Sequence, residues 1–391
     1  MKYEKFTTEP DVFAADVELS ETSSYNYARY SHLTQEYGLQ SPQHQGLARD
    51  EFEAAIIDPN VASTTVETPQ GNFSFPQLSP LEQNGWLNTK YYEKKYAGPY
   101  EKGDVMFYVD LPSITPGEAV KNRLSELADR GGVIVFDYPM TDEDYPKRVD
   151  AVLDELGITA ESTEVLGDQT YYMGQTFLKR TDDKGRDALG FDAAYNAVIA
   201  DGSYDTARIQ NGASLWNQID ETKAQELRQF YDAAYETLKD QPCEQGLTPE
   251  EFKEMLTDRT DVAKIVNSVD GEIVSLVLLD NKLDKLSWVN SEYYKQNYPE
   301  KFENGQIMWF PGLAADPSRP ESMNTQVMVD LIAQLAERGG NAITVVFDCC
   351  DKNKGFLDAF LNVMINATPY ACVGIQPIAV QRYMAVRLGK R

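Results

Sequence analysis

The chain contains one long segment twice, and this repetition limits its fold more than any other property of the sequence. LEQNGWLNTKYYEKKYAGPYEKGDVMFYVDL begins at Leu81, and LDKLSWVNSEYYKQNYPEKFENGQIMWFPGL begins at Leu283. At a shift of about 202 positions they align Trp86 with Trp288, Asn88 with Asn290 and Tyr91-Tyr92 with Tyr293-Tyr294. Tyr96 then meets Tyr298, Gly103 meets Gly305, and Met106 meets Met308. Agreement at so many large, uncommon residue types is not chance. With short insertions the match extends outward. GLARDEFEAAI pairs with GLTPEEFKEML, LSELADRGGVIVFD with LIAQLAERGGNAITVVFD, and TYYMGQTFLKR with RYMAVRLGKR. The two copies cover about residues 15–180 and 215–391, and a period of that size is a domain rather than a solenoid repeat. The expected division is a first domain over 1–180, a connector over 181–213 and a second domain over 214–391.

The second copy shows the order of elements most clearly. Leu227, Phe230, Tyr231, Ala234 and Leu238 recur at helical spacing. TPEEFKEMLTD opens with a Thr cap and a first-turn Pro, the mark of a second, short helix. VAKIVNSVDGEIVSLVLLD reads as two strands turning at Asp270-Gly271. SEYYKQNYPEKF predicts an inserted helix, GQIMWFPGLAAD a buried strand, and MNTQVMVDLIAQLAERGG an amphipathic helix ending at Gly339-Gly340. NAITVVFDCC is a β-branched buried strand, KGFLDAFLNVMINA another helix, and QPIAVQRYMAVRL a closing strand. This order predicts an α/β (mixed α+β) fold, with a mixed central sheet flanked by helices in each copy.

Charge and composition exclude several functions. The 391 residues hold 62 acidic and 36 basic side chains, a formal net charge of −26. Such a balance argues against nucleic acid and against an anionic membrane surface, and favours a cationic partner if the charge has one. The start is acidic and polar, unlike a signal peptide, which predicts a cytoplasmic location. Cys243, Cys349, Cys350 and Cys372 have no CxxC spacing, and the two histidines, His32 and His44, sit in no metal or triad motif. No metal is expected.

The element order resembles the GNAT superfamily of acyl-CoA-dependent N-acyltransferases, and the duplication resembles a tandem GNAT protein. The resemblance implies that acetyl-CoA or another acyl-CoA binds with its pantetheine along Gly312, Leu313 and Ala314. It implies that the pyrophosphate meets the following helix entrance, where the family pattern is Gln/Arg-x-x-Gly-x-Gly/Ala. Here that loop holds Arg319 first, with Ser322, Met323 and Asn324 after it, Ser322 and Asn324 standing at the glycine positions. The first copy has TPGEAVKNR there, without the leading Arg. Asn353 matches the family's cofactor-contacting Asn, but the position of its proton-donating Tyr is Phe360, which cannot donate a proton. Tyr383 is the candidate replacement. Asp348, matched by Asp137 in the first copy, is the candidate base or amine-binding group. The repeated aromatic segment reads as core packing or as the wall of an acceptor groove. Two functions stay open. One is an N-acyltransferase acting on a small-molecule or peptide amine. The other is a non-catalytic GNAT-like protein that binds a small ligand, peptide or protein.

Overall fold

A computed structural model describes residue 47 and residues 49–68, 71–110, 114–177, 213–216, 219–243, 246–316, 343–350 and 371–390. In the first copy, helix α1 (Arg49–Ile57) precedes strands β1 (Ala62–Thr68) and β2 (Gly71–Pro80). Helices α2 (Thr89–Lys95) and α3 (Ala97–Glu101) lead to β3 (Val105–Tyr108), α4 (Glu118–Asp129), β4 (Val133–Pro139), α5 (Tyr145–Glu155) and β5 (Ile158–Phe177). The second copy runs β6 (Ala213–Trp216), α6 (Glu221–Tyr235), α7 (Pro249–Lys253), β7 (Ala263–Val269) and β8 (Glu272–Asp280). It continues with α8 (Ser291–Asn297), α9 (Pro299–Glu303), β9 (Ile307–Ala315), β10 (Ile343–Cys350) and β11 (Ala371–Lys390).

The repeat is visible atom by atom. Asn88 and Asn290 cap α2 and α8 by accepting from Tyr91 N (3.4 Å) and Tyr293 N (3.3 Å). Each following Tyr-Tyr pair meets edge to face, with ring centroids 5.1 Å apart in one copy and 5.2 Å in the other. Gly103 and Gly305 take the same left-handed φ, +67° and +64°. The Asp270-Gly271 turn has φ of +53° and +84°, as a tight two-residue hairpin requires. Thr248 and Glu251 form a reciprocal capping box at α7. The inserted helix expected over SEYYKQNYPEKF breaks at Tyr298, as its counterpart breaks at Tyr96 where Ala97 rather than a proline follows, so the break belongs to the repeat and Pro299 only suits it.

Among the described residues, eleven strands form one mixed sheet in the order β1-β2-β3-β4-β11-β5-β10-β9-β8-β7-β6. Among the pairings of these described strands, only β3–β4 and β9–β10 are parallel. The two copies therefore share a sheet rather than closing separate ones, and they do so by exchanging their last strands. β11 of the second copy pairs with β4 of the first, and β5 of the first pairs with β10 of the second. β5 and β11 then pair antiparallel along twenty residues each at the centre. Gln169 faces Gln381 and Asp168 faces Arg382 near the midpoint, and Arg382 grips Asp168 through two bonds of 2.8 Å.

Apolar side chains cover both faces. In the first copy Phe52, Phe73, Phe75, Trp86, Tyr92 and Phe107 pack on one face, and Val120, Leu124, Leu127, Val149 and Leu153 of α4 and α5 on the other. Leu227, Tyr231, Phe252, Tyr294 and Trp309 form the matching core of the second copy. The expected helices over MNTQVMVDLIAQLAERGG and KGFLDAFLNVMINA lie outside the described residues, as do most of the connector and both histidines. Among the described residues no helix is long and apolar enough to cross a membrane.

Candidate functional site

In the second copy two parallel strands part company. β9 and β10 are in register only from Ile307–Trp309 against Thr344–Val346. Both strands go on, β9 along β8 and β10 along β5. The parting begins at a bulge: Asp280 pairs with Trp309 and Leu278 with Gly312, so Phe310 and Pro311 together oppose Leu279. Pro311 has no N–H for the ladder. Gly312, Leu313 and Ala314 follow directly, on the stretch of β9 that has no β10 residue in register with it.

Helix α6 covers this stretch. Tyr231 and Tyr235 stack at 4.2 Å, and the Tyr231 hydroxyl is fixed by the N–H of Leu247 at 2.9 Å. A Cβ at Gly312 would come within 3.2 Å of both Leu278 Cδ1 and Tyr231 Cε2, so only glycine lets the strand pass here without displacement. Leu313 N donates to the Tyr235 hydroxyl at 3.4 Å, a long bond. Ala314 is buried. Arg319, Ser322, Met323, Asn324 and Asn353 lie outside the described residues.

In the first copy the equivalent parting is filled by its own side chains. β3 pairs with β4 only at Val105–Phe107. Beyond it, Asp110 N donates to the Tyr145 hydroxyl at 2.9 Å, and Tyr145 stacks on Phe136 and Tyr138 at 5.4 and 5.3 Å. Arg148 bonds Asp110 at 2.6 Å and holds Asp142 through two contacts of 3.0 and 2.9 Å. Burial pushes the Asp110 carboxyl up while Arg148 pulls it down. The helix entrance in TPGEAVKNR is engaged too, since Gly117 N donates to Thr64 Oγ1 at 2.9 Å.

The two candidate acid–base residues are not neighbours. Tyr383 rides on the exchanged β11, opposite Asp137 of the first copy. Its buried hydroxyl donates to Gln169 Oε1 at 2.9 Å, and burial raises it well above the ordinary phenol range. Asp348 of β10 pairs with Tyr171 of β5. Tyr383 pairs with Gly167 on that same strand, four residues from Tyr171, a separation of about 13 Å along the strand alone. The exchange is thus reciprocal: each copy's strand-end aspartate faces a tyrosine brought by the other copy's last strand. Tyr171 is the residue that sequence reasoning missed. The repeat aligns Tyr172 with Tyr383, and the signal was off by one position. Asp137, the other strand-end acid, is buried, accepts from Trp86 Nε1 at 3.0 Å, and is pushed up to about 7 by burial.

No protein-family model and no curated protein matches this sequence. Solved structures similar to it include the tandem GNAT protein from the clavulanic acid biosynthesis pathway, at 9% identity and a TM-score of 0.41, over 94% of this chain and 95% of that one. The GCN5-related N-acetyltransferase from Sphaerobacter thermophilus matches at 11% identity and a TM-score of 0.36, over 93% of each chain. The structure of L-PGS from Bacillus licheniformis matches at 12% identity and a TM-score of 0.32, over 93% of this chain and 90% of that one. Likenesses this distant assign no residue and no substrate.

Proposed function

We propose that the second copy is an acyl-CoA-dependent N-acyltransferase domain and that the first copy does not bind the cofactor. The observation that supports this reading is the parting of β9 from β10 after Trp309 and Val346, with Gly312, Leu313 and Ala314 on the stretch beyond it; in the first copy Tyr145 and Arg148 occupy the parting. A Cβ at Gly312 would press on Leu278 and Tyr231, so the strand passes there as bare backbone, the kind of surface a slender pantetheine arm can run beside. Gly312, Leu313 and Ala314 would line the arm. Arg319, with Ser322, Met323 and Asn324 at the helix entrance, would hold the pyrophosphate, and Asn353 would hold the cofactor near its thiol end. When bound, the acyl-CoA supplies an activated thioester.

Asp348 is the group assigned to orient the amine and take its proton at a carboxylate oxygen. Tyr171 stands opposite it on β5, and Tyr383 stands opposite Asp137 of the first copy. The acidic chain favours a cationic acceptor, a small-molecule or peptide amine. The reading implies a cytoplasmic location. Calorimetric titration with CoA and acetyl-CoA tests it. Saturable binding that weakens in Arg319→Ala and Asn353→Ala is expected, and no heat at about millimolar cofactor removes the reading. Binding without turnover on any amine would make the second copy a binding module, the outcome that Phe360 in place of the tyrosine favours.

A further inference from the structure

On the face of the first copy covered by α1 and α2, the core contains polar groups that its packing does not use. Gln381 of β11 and Gln169 of β5 are register partners, both buried. Tyr383 lies two residues beyond Gln381 and so shares its face, opposite Asp137. Tyr92 and Cys243 are buried beside them, both close enough to Tyr383 to influence its charge. Part of this cluster is bonded, Tyr383 to Gln169 and Trp86 to Asp137. Part of it is not. Among the described residues neither Nε2 nor Oε1 of Gln381 has a hydrogen-bond partner, and neither has the Tyr92 hydroxyl. Gln381 is 1% exposed and Tyr92 fully buried. Each such orphan costs about 1–3 kcal/mol of lost solvation, which apolar residues of the same size would avoid.

The chemistry of the orphaned atoms describes a complementary ligand. Gln381 Oε1 and Tyr92 Oη are acceptors on the face that carries the Asp137 carboxyl, and Trp86, Tyr92 and Tyr383 supply aromatic rings to the same core. An ammonium group has three N–H donors and no acceptor, so it suits this set. Gln381 Nε2 is a donor in the same cluster and asks for one oxygen acceptor. We propose that this cluster is a binding site for a small primary amine that also carries a hydroxyl or carbonyl oxygen. Asp137, Gln381 Oε1 and Tyr92 would take the ammonium, and Gln381 Nε2 the oxygen. Leu166 and Gly167, the latter beside Pro242, form the less buried flank of the cluster, where the first copy meets the 241–243 segment of the second. The site uses no residue of the β9–β10 parting and stands whether or not the second copy binds acyl-CoA.

The test is isothermal titration of the full chain with ethanolamine, with 1-propanol as the uncharged control and acetyl-CoA as a separate titrant. Ethanolamine should bind saturably with a Kd of about a millimolar or tighter, and 1-propanol should not. Asp137→Asn, Gln381→Met and Tyr92→Phe should each weaken ethanolamine by about tenfold or more, a difference of about 1.4 kcal/mol. Each variant should keep a cooperative thermal transition and leave any acetyl-CoA titration unchanged. Gln381→Met and Tyr92→Phe keep the volume of the core, so at least these two report on binding rather than folding. Three results would overturn the proposal: no saturable heat with ethanolamine, unaltered affinity in the folded variants, or crystals grown with ethanolamine that show only ordered water in the cluster.

Discussion

The two copies share their capping residues, their paired tyrosines and their strand order, and among the described residues they differ beyond β3 and beyond β9. The first fills the space beyond β3 with the Tyr145 ring and the Arg148–Asp110 pair. The second opens β9 from β10 through a proline bulge and covers the strand with α6, whose Tyr235 reaches Leu313 only through a long bond. Duplication preserved the scaffold while the described residues just beyond these two strands diverged. The difference is therefore best probed by changing each copy at its own opening.

The largest effect is expected where an aromatic plug is removed. Tyr145→Ala should destabilise the protein by about 3–5 kcal/mol in denaturant unfolding, because a stacked, buried ring leaves a cavity behind. A small cost would mean that the first copy is less tightly filled than its contacts indicate. Asp137→Asn should act in the other direction. The folded protein holds this carboxyl at about 7, above its ordinary value near 4. Its stabilising contribution is whole below about pH 4 and is lost as pH rises through about 7. Asparagine can still accept from Trp86, so at about pH 8 the variant should gain on the order of 4 kcal/mol and show a flatter pH profile. Equal stability of both proteins at acid and alkaline pH would contradict the burial argument.

A smaller effect separates two glycines. Gly312→Ala should cost about 1–3 kcal/mol, since Tyr231 is locked by Leu247 and cannot retreat, and it should abolish cofactor titration. Gly117→Ala brings its nearest contact to 3.4 Å, an ordinary distance, and should change stability by under about 1 kcal/mol. Smallest of all are the hydroxyl deletions. Tyr145→Phe removes a 2.9 Å bond and should cost about 1 kcal/mol, whereas Tyr235→Phe removes a 3.4 Å contact and should cost a few tenths. Equal losses would mean that the two hydroxyls hold their strands equally well despite the difference in length.

Much of the scaffold is legible in the sequence because it rests on local chemistry. Asp270-Gly271 dictates a hairpin, Thr248 with Glu251 a helix start, and the Trp-x-Asn segments a repeated capped helix. The exchange of β5 and β11 is not legible. Alternation along a strand shows which side chains face a core, but not whose sheet the strand joins. The exposed run at 161–165 also breaks the alternation of β5 and hides its twenty-residue length. The pairing of Tyr171 with Asp348 and of Tyr383 with Asp137 depends wholly on that exchange. The plug in the first copy is not legible for a different reason: Tyr145 and Arg148 lie downstream of the loop that holds the family pattern.

The shared central strands also set an order of events during synthesis. Arg387 bonds Gly131 across 256 positions of chain, and β4 has no neighbour on that side until β11 emerges. The first copy therefore cannot complete itself as it leaves the ribosome. The native neighbour of β4 on that side is the last strand to be made, so final assembly of the shared centre follows the synthesis of β11.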